Sequence, residues 1–275
     1  MSGTLPLLIE RRDNVALLTL NRPQKRNALN DETVEALNAF FSAVPQDIGA
    51  VVLCGAGEHF CAGLDLAEVI EKKRTPAEII RHSRGWHRTF DLIQFGDVPV
   101  ISCIQGGAIG GGLELASATH IRVCEPNAFF QLPEGQRGIF LGGGGSVRVP
   151  RIIGAGRVVE MMLTGRRIEV EEGLRLGLGH RVAPAGGGLD MALEIAAAVA
   201  SNLPTSNYAI INGISRISEM GPAEGLFSET MTAIVSGAAA ASRGRIKDFL
   251  DRKARPSEAP VKEEDGRMTN GGSRS

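Results

Sequence analysis

The segment Gln105-Gly-Gly-Ala-Ile-Gly-Gly-Gly-Leu-Glu-Leu-Ala116 constrains this chain more than any other. An apolar run from Val98 to Ile104 leads in, and a run of small residues ending at Ala118 leads out. The first reads as a buried strand and the second as a short helix opening near Gly110. Consecutive glycines let backbone approach backbone, or a ligand, with no Cβ between them. The first N–H groups of a helix lack internal partners and carry partial positive charge. An amide at Gly111 could therefore hold a developing oxyanion, with Glu114 one turn further on. A lone carboxylate in so neutral a segment is costly to bury unless it works or is paired. The other reading is a tight strand-to-helix contact with Glu114 facing solvent. Both stand on this stretch alone.

With 275 residues and 43% hydrophobic content, the chain can build one large domain with a substantial core, or one domain and an appendage. A formal net charge of −1 leaves no global field to recruit nucleic acid or a membrane surface. The start lacks the basic-then-apolar layout of a secretory leader. The longest nearly uncharged run, Val98 to Ala118, holds Gln105, Glu114 and several glycines, which suits a protein core better than a bilayer. Cys54, Cys61, Cys103 and Cys124 form no CxxC pair and sit in apolar surroundings, as reduced buried thiols do. The expectation is a soluble cytoplasmic protein.

In chain order, Leu5–Ile9 and Val15–Leu20 flank the polar Glu10–Asn14 and predict a hairpin. Asn30 predicts a cap for a helix whose apolar face is Val34, Leu37, Phe40 and Phe41. Gly49–Leu53 predicts a strand, Gly55–Gly63 a glycine-rich loop, and 65–73 and 76–95 helices, with Pro76 in the first turn of the second. Strand patterns follow at Ile121–Cys124 and Ala128–Leu132. Next comes a loop-to-helix passage through Gly142–Gly145, then short helices at 157–163 and 170–176. From Leu189 the pattern is wholly helical, so an α/β front (1–190) precedes an all-α region (191–254). The polar stretch 255–275 predicts disorder. GxGxxG, the P-loop, GxSxG and HExxH are absent from the chain, so the glycines serve neither dinucleotide phosphates nor a nucleophilic serine.

Five ordered segments complete the pattern: Asn21-Arg-Pro with Arg26–Leu29, Phe60-Cys-Ala-Gly-Leu-Asp-Leu66, Gly106 with Gly110–Ala116, Phe130-Gln-Leu-Pro-Glu134, and Leu163-Thr-Gly165. In these the chain resembles the enoyl-CoA hydratase/isomerase (crotonase) family over roughly residues 5–255. The resemblance implies an α/β spiral of ββα turns with a C-terminal helical oligomerisation region, assembling as a homotrimer or hexamer. It implies an acyl-CoA thioester as substrate, with CoA part of that substrate and no separate cofactor. The backbone N–H groups of Leu64 and Gly111 would form the oxyanion hole. Arg26, Ala28, Ala62, Gly63, Asp65, Leu66 and Gly110 would contact the substrate; Arg26 alone reads as a solvated turn residue. Glu114 and Glu134 would be catalytic. Two carboxyl groups gripping one water can deliver it to Cβ, and a proton to Cα, of a 2-enoyl thioester. The implied activity is enoyl-CoA hydration. The alternatives are double-bond isomerisation, hydration of aromatic or branched acyl-CoAs, and a non-catalytic acyl-CoA- or RNA-binding scaffold.

Two departures from the family pattern stand out. Gly135-Gln-Arg137 follows Glu134 where apolar residues are usual, so that Arg137 either pairs with Glu134 or reaches a polar group on the acyl chain. Ala67 stands where many relatives carry a basic residue. Lys72, Lys73, Arg74, Arg81, Arg84 and Arg88 read as a solvated basic face; with few aromatics among them, no nucleic-acid partner is expected. Trp86, Phe90 and Phe95 read as pocket or core. The five histidines have no metal-ligand spacing, so no metal is expected, and Cys61 lacks a basic neighbour to activate it.

Overall fold

A computed structural model describes residues 5–237 and 240–254. Strands β1 (Leu7–Arg12) and β2 (Val15–Leu20) pair antiparallel, from Leu7 opposite Leu20 to Arg12 opposite Val15. The expected five-residue connection is shorter than its polarity suggests, because Glu10–Arg12 continue β1. That strand is the edge of the sheet, where polar side chains face solvent. The chain reverses at Asp13, whose φ is +54°. Next to β2, in order, lie β3 (Ala50–Gly55), β4 (Val100–Ile104), β6 (Ile121–Cys124) and β9 (Arg181–Val182), all parallel.

The central strands are buried on both faces, which is why they read as unbroken apolar runs. Leu18, Leu20, Val51, Leu53 and Ile104 join the larger core with residues of α1 (Asp31–Ser42), α3 (Pro76–Gln94) and α4 (Gly111–Ala118). Val15, Leu17, Val52, Ile101 and Cys103 join a second core that includes Ala192 and Ala196 of α8 (Gly188–Ala200). The expected 190/191 boundary therefore falls inside a helix whose alanine face packs on the sheet. The helix starts follow local chemistry. Asn30 Oδ1 accepts the Thr33 N–H at 3.1 Å, and Thr75 forms a capping box with Glu78.

A smaller sheet supplies the second half of each ββα turn. In it β5 (Gly107–Ile109) runs parallel to β7 (Phe129–Gln131), which pairs antiparallel with β8 (Arg167–Glu169). The turns read β4–β5–α4 and β6–β7 followed by α5 (Gly145–Ile153). Strand β5 was not expected: the chain does not pass from Ile104 straight into the helix but turns at Gly106, φ +52°, and lays down three more strand residues. Helices α2 (Leu66–Lys72), α6 (Ala155–Thr164), α7 (Val170–Leu176), α9 (Pro204–Ile217) and α10 (Pro222–Gly237) complete the main body. A separate unit contains α11 (Ala240–Ala254). The stretch 255–275, expected to be disordered, lies outside the described residues. Among those residues no helix is long and apolar enough to cross a membrane.

Candidate active site

Two backbone segments meet where the sequence placed them. The loop Cys61–Asp65 is threaded between the 26–29 segment and β5. Leu29 N–H donates to Gly63 O (2.7 Å), Asp65 N–H to Leu29 O (2.9 Å), and Ile109 N–H to Cys61 O (3.0 Å). These bonds use the neighbours of Leu64 and leave its own N–H free. Neither the Leu64 nor the Gly111 N–H has an acceptor among the described residues. The two amides lie together: a Cβ added to Gly63 would sit 3.0 Å from Gly111 N, and one added to Gly111 3.3 Å from Leu64 N. Gly110 takes φ +51°, and a Cβ there would lie 2.7 Å from Glu134 Oε1. At Gly112 it would strike the Cys61 carbonyl. The glycine triplet thus lets α4 begin against the loop, with its first N–H left unpaired beside an open space.

That space is a cavity of about 510 Å³. Ala62, Leu64, Leu66, Gly110, Gly111, Glu114 and Glu134 line it together. Glu114 is only 3% exposed, which removes the solvent-facing reading. Its Oε1 accepts the N–H groups of Gly143 and Gly145, both at 2.8 Å. Burial raises its pKa, opposed by those amides and by the nearby Arg148 guanidinium. Glu134 is 5% exposed, and its Oε2 has no hydrogen-bond partner among the described residues. Burial, reinforced by the negative charge of Glu114, pushes its pKa up to about 7. Two carboxyl groups in one cavity are thus held in different environments, one gripped by amides and one left bare.

The remaining expected contacts, Arg26, Ala28, Gly63 and Asp65, are not among the residues that line this cavity. The Asp65 carboxylate accepts from Arg22 Nη2 at 2.8 Å and caps α2 through Ala67 N–H at 3.1 Å. Burial opposes ionisation there, but Arg22 and the helix amides hold Asp65 below the usual carboxylate range. Its place is in clamping the loop. Gly63 and Ala28 shape the same backbone, and Arg26 is exposed, lending its carbonyl to Ala62 N–H at 2.9 Å. Arg137 sits exposed at the cavity, and among the described residues it makes no ion pair with Glu134. Its charge is the weakest influence on Glu134. Gly135 is explained by packing: a Cβ would collide with the Met162 carbonyl of α6.

One wall was legible beforehand only in Trp86, read as pocket or core. Helix α3 contributes Ile79, His82, Ser83 and Trp86, and the loop before α5 contributes Ile139 to Gly143. Ser83 Oγ donates to Gly142 O at 2.6 Å, tying the two together. Of the expected solvated basic face, Lys72 and Arg74 instead pair with Asp31 (2.5 and 2.6 Å), and Lys72 also with Glu68 (2.9 Å). Asp31 is held ionised by those cations although partial burial opposes it. Cys61 is fully enclosed, its thiol pushed up to about 12 by burial, so it offers no thiolate. No cluster of three metal-ligating side chains occurs among the described residues.

The model of the enoyl-CoA hydratase/isomerase family matches residues 10–252. A short-chain-enoyl-CoA hydratase of Clostridium acetobutylicum is 34% identical over 203 residues, spanning 73% of this chain and 77% of its own. A crystal structure of a Rhodopseudomonas palustris CGA009 protein superposes with a TM-score of 0.87 at 45% identity, covering 92% of this chain and 98% of that one. That of an enoyl-CoA hydratase from Bacillus anthracis gives 0.84 at 29% identity, covering 90% and 96%.

Proposed function

Because the chain belongs to the enoyl-CoA hydratase/isomerase family, we propose that it adds water across the C2=C3 bond of a 2-enoyl-CoA to give the 3-hydroxyacyl-CoA. One observation carries this reading: two buried carboxyl groups, Glu114 and Glu134, line the cavity into which the Leu64 and Gly111 amides open. The thioester oxygen sits between those amides. Water oxygen bonds to C3, the C2=C3 electron pair moves toward C1, and negative charge collects on the thioester oxygen. Each amide aimed at that charge is worth about 3–4 kcal/mol of barrier, with no covalent intermediate needed. Glu114, its Oε1 fixed by two amides, orients the water with its other oxygen and draws off a proton. Glu134, with a pKa of about 7, has a proton to share near neutral pH and governs its delivery to C2. Passage of a proton from Glu114 back to Glu134 restores the pair, so the sum adds one water, changes no net charge and calls on no cofactor.

The test is loss of conjugated-enoyl absorbance with crotonyl-CoA for the parent, Glu114→Gln and Glu134→Gln. Hydration by the parent and a loss of roughly 10²–10⁴-fold in each variant are expected. Variants as fast as the parent rule out the mechanism, and conversion of a 3-enoyl-CoA without hydration would favour the isomerase. No turnover across an acyl-CoA panel, with CoA binding retained, favours the scaffold. We further propose a homotrimer or hexamer. Its support is the exposed apolar side chains Ile210 and Ile214 on α9 and Phe227, Met231 and Ile234 on α10. Light scattering on the purified chain tests it, and a monomer refutes it.

A further inference from the structure

We propose that His82, in the α3 wall of the cavity, forms a hydrogen-bonding subsite for a hydroxyl group on the acyl chain, and so determines specificity. This rests on reading the cavity as an acyl-CoA site. The Trp86 ring locates the reacting carbons. A Cβ on Gly111 would meet Trp86 Cζ3 at 2.8 Å, and one on Gly143 would meet Cε3 at 3.0 Å. The indole therefore lies against both the oxyanion amide and the loop that grips Glu114. His82 stands one helical turn back along α3, its ring centroid 5.6 Å from that of Trp86. A chain extending from C3 along the indole reaches the imidazole, where a purely apolar tunnel would present an aliphatic side chain.

The imidazole is held at one nitrogen, and its surroundings disfavour the charged form. Its Nε2 lies 3.1 Å from Trp86 Nε1 and 3.0 Å from Asp31 Oδ1. Burial and the positive charge of Arg74 push its pKa below the ordinary value, against the pull of Asp31. Asp31 already has Lys72 and Arg74, and Glu68 balances the remaining charge, so the cluster asks for no imidazolium. The Trp86 N–H can only donate, so pairing it makes Nε2 the acceptor and puts the proton on Nδ1. Nδ1 has no partner among the described residues. In the other tautomer, with Nε2–H directed at Asp31, Nδ1 is an unpaired acceptor. A hydroxyl both donates and accepts, so it matches either state. Nδ1 is open to solvent, and an unsubstituted alkyl end displaces water from it while offering no hydrogen bond in return.

The experiment compares kcat/KM for ω-hydroxy-2-enoyl-CoAs, from the pentenoyl to the octenoyl chain, with that for their unsubstituted parents. At the best length the protein favours the hydroxylated chain by roughly tenfold. His82→Leu reverses that ratio, and His82→Gln, which keeps hydrogen-bonding atoms at similar reach, retains it. A parent protein that prefers the unsubstituted chain at every length overturns the subsite whatever the variants do, as does a His82→Leu ratio equal to the parent's. Hydration of crotonyl-CoA with a flat ratio refutes the subsite alone, and absence of all hydration refutes the activity beneath it as well.

Discussion

Glu134→Gln isolates the energetic cost of placing a titrating carboxyl against an unpartnered wall. The folded carboxyl has a pKa of about 7, and an unfolded glutamate titrates near its model value of 4.5. At about 1.4 kcal/mol per unit, the shift corresponds to about 3 kcal/mol at most, and to roughly 1–2 kcal/mol once solvent in the open cavity screens it. The sign follows from proton counting. Between the two pKa values the folded protein holds a proton that the unfolded chain has released. Stability from this group is therefore full below pH 4.5. It drains away as the pH climbs, and is gone above about 7. Glutamine has the same shape and no titration. Urea unfolding of both proteins at about pH 5 and about pH 8.5, at one protein concentration, gives four free energies. The parent should lose roughly 1–2 kcal/mol more than the variant across that interval. Any pH-independent cost of a buried amide cancels in the double difference. Parallel pH profiles for parent and variant would refute the claim that Glu134 is raised by its surroundings.

Two glycines should respond in opposite ways. Gly85→Ala, where a Cβ on α3 meets nothing within 4 Å, should raise stability by about 1 kcal/mol in urea titration. Gly112→Ala drives a methyl into the Cys61 carbonyl and should cost about 3 kcal/mol or more, or prevent folding. Arg148 donates to Gly143 O at 3.1 Å, in the peptide unit between the two whose N–H groups hold Glu114, and so steadies that loop. Arg148→Met should lower kcat by roughly tenfold, more than it raises KM, and move the Glu114 limb of the pH–rate profile upward, with a smaller shift for Arg148→Lys. Arg137→Met should leave the Glu134 limb nearly in place, since that guanidinium makes no ion pair there; an upward shift of about one unit would show a pairing that the geometry lacks.

What could be read from the sequence was what neighbours along the chain dictate. Asn30 announces a helix start because its side chain caps an amide three residues away, and Pro76 announces another because its ring suits a first turn. The unbroken apolar β3 and β4 announce burial on both faces, and the glycine triplet announces a close approach. The family pattern pointed to Glu114, Glu134, Leu64 and Gly111 as one group, and the fold brings them to one cavity. Other features depended on residues far away in the chain. Glu10–Arg12 became strand because β2 lay beside them, and three glycine-flanked residues became β5 because β7 offered a ladder. Gly135, a departure from the family pattern, answers to Met162 in α6, and Asp65 answers to Arg22. His82 looked like any surface histidine until Asp31 and Trp86 met at one of its nitrogens. Dihedral preference and periodicity are properties of short segments, so the sequence by itself determined the elements and the type of site. Burial, pairing and pKa depend on groups brought together from distant parts of the chain, and only the tertiary structure decided which carboxyl is gripped and which is left bare.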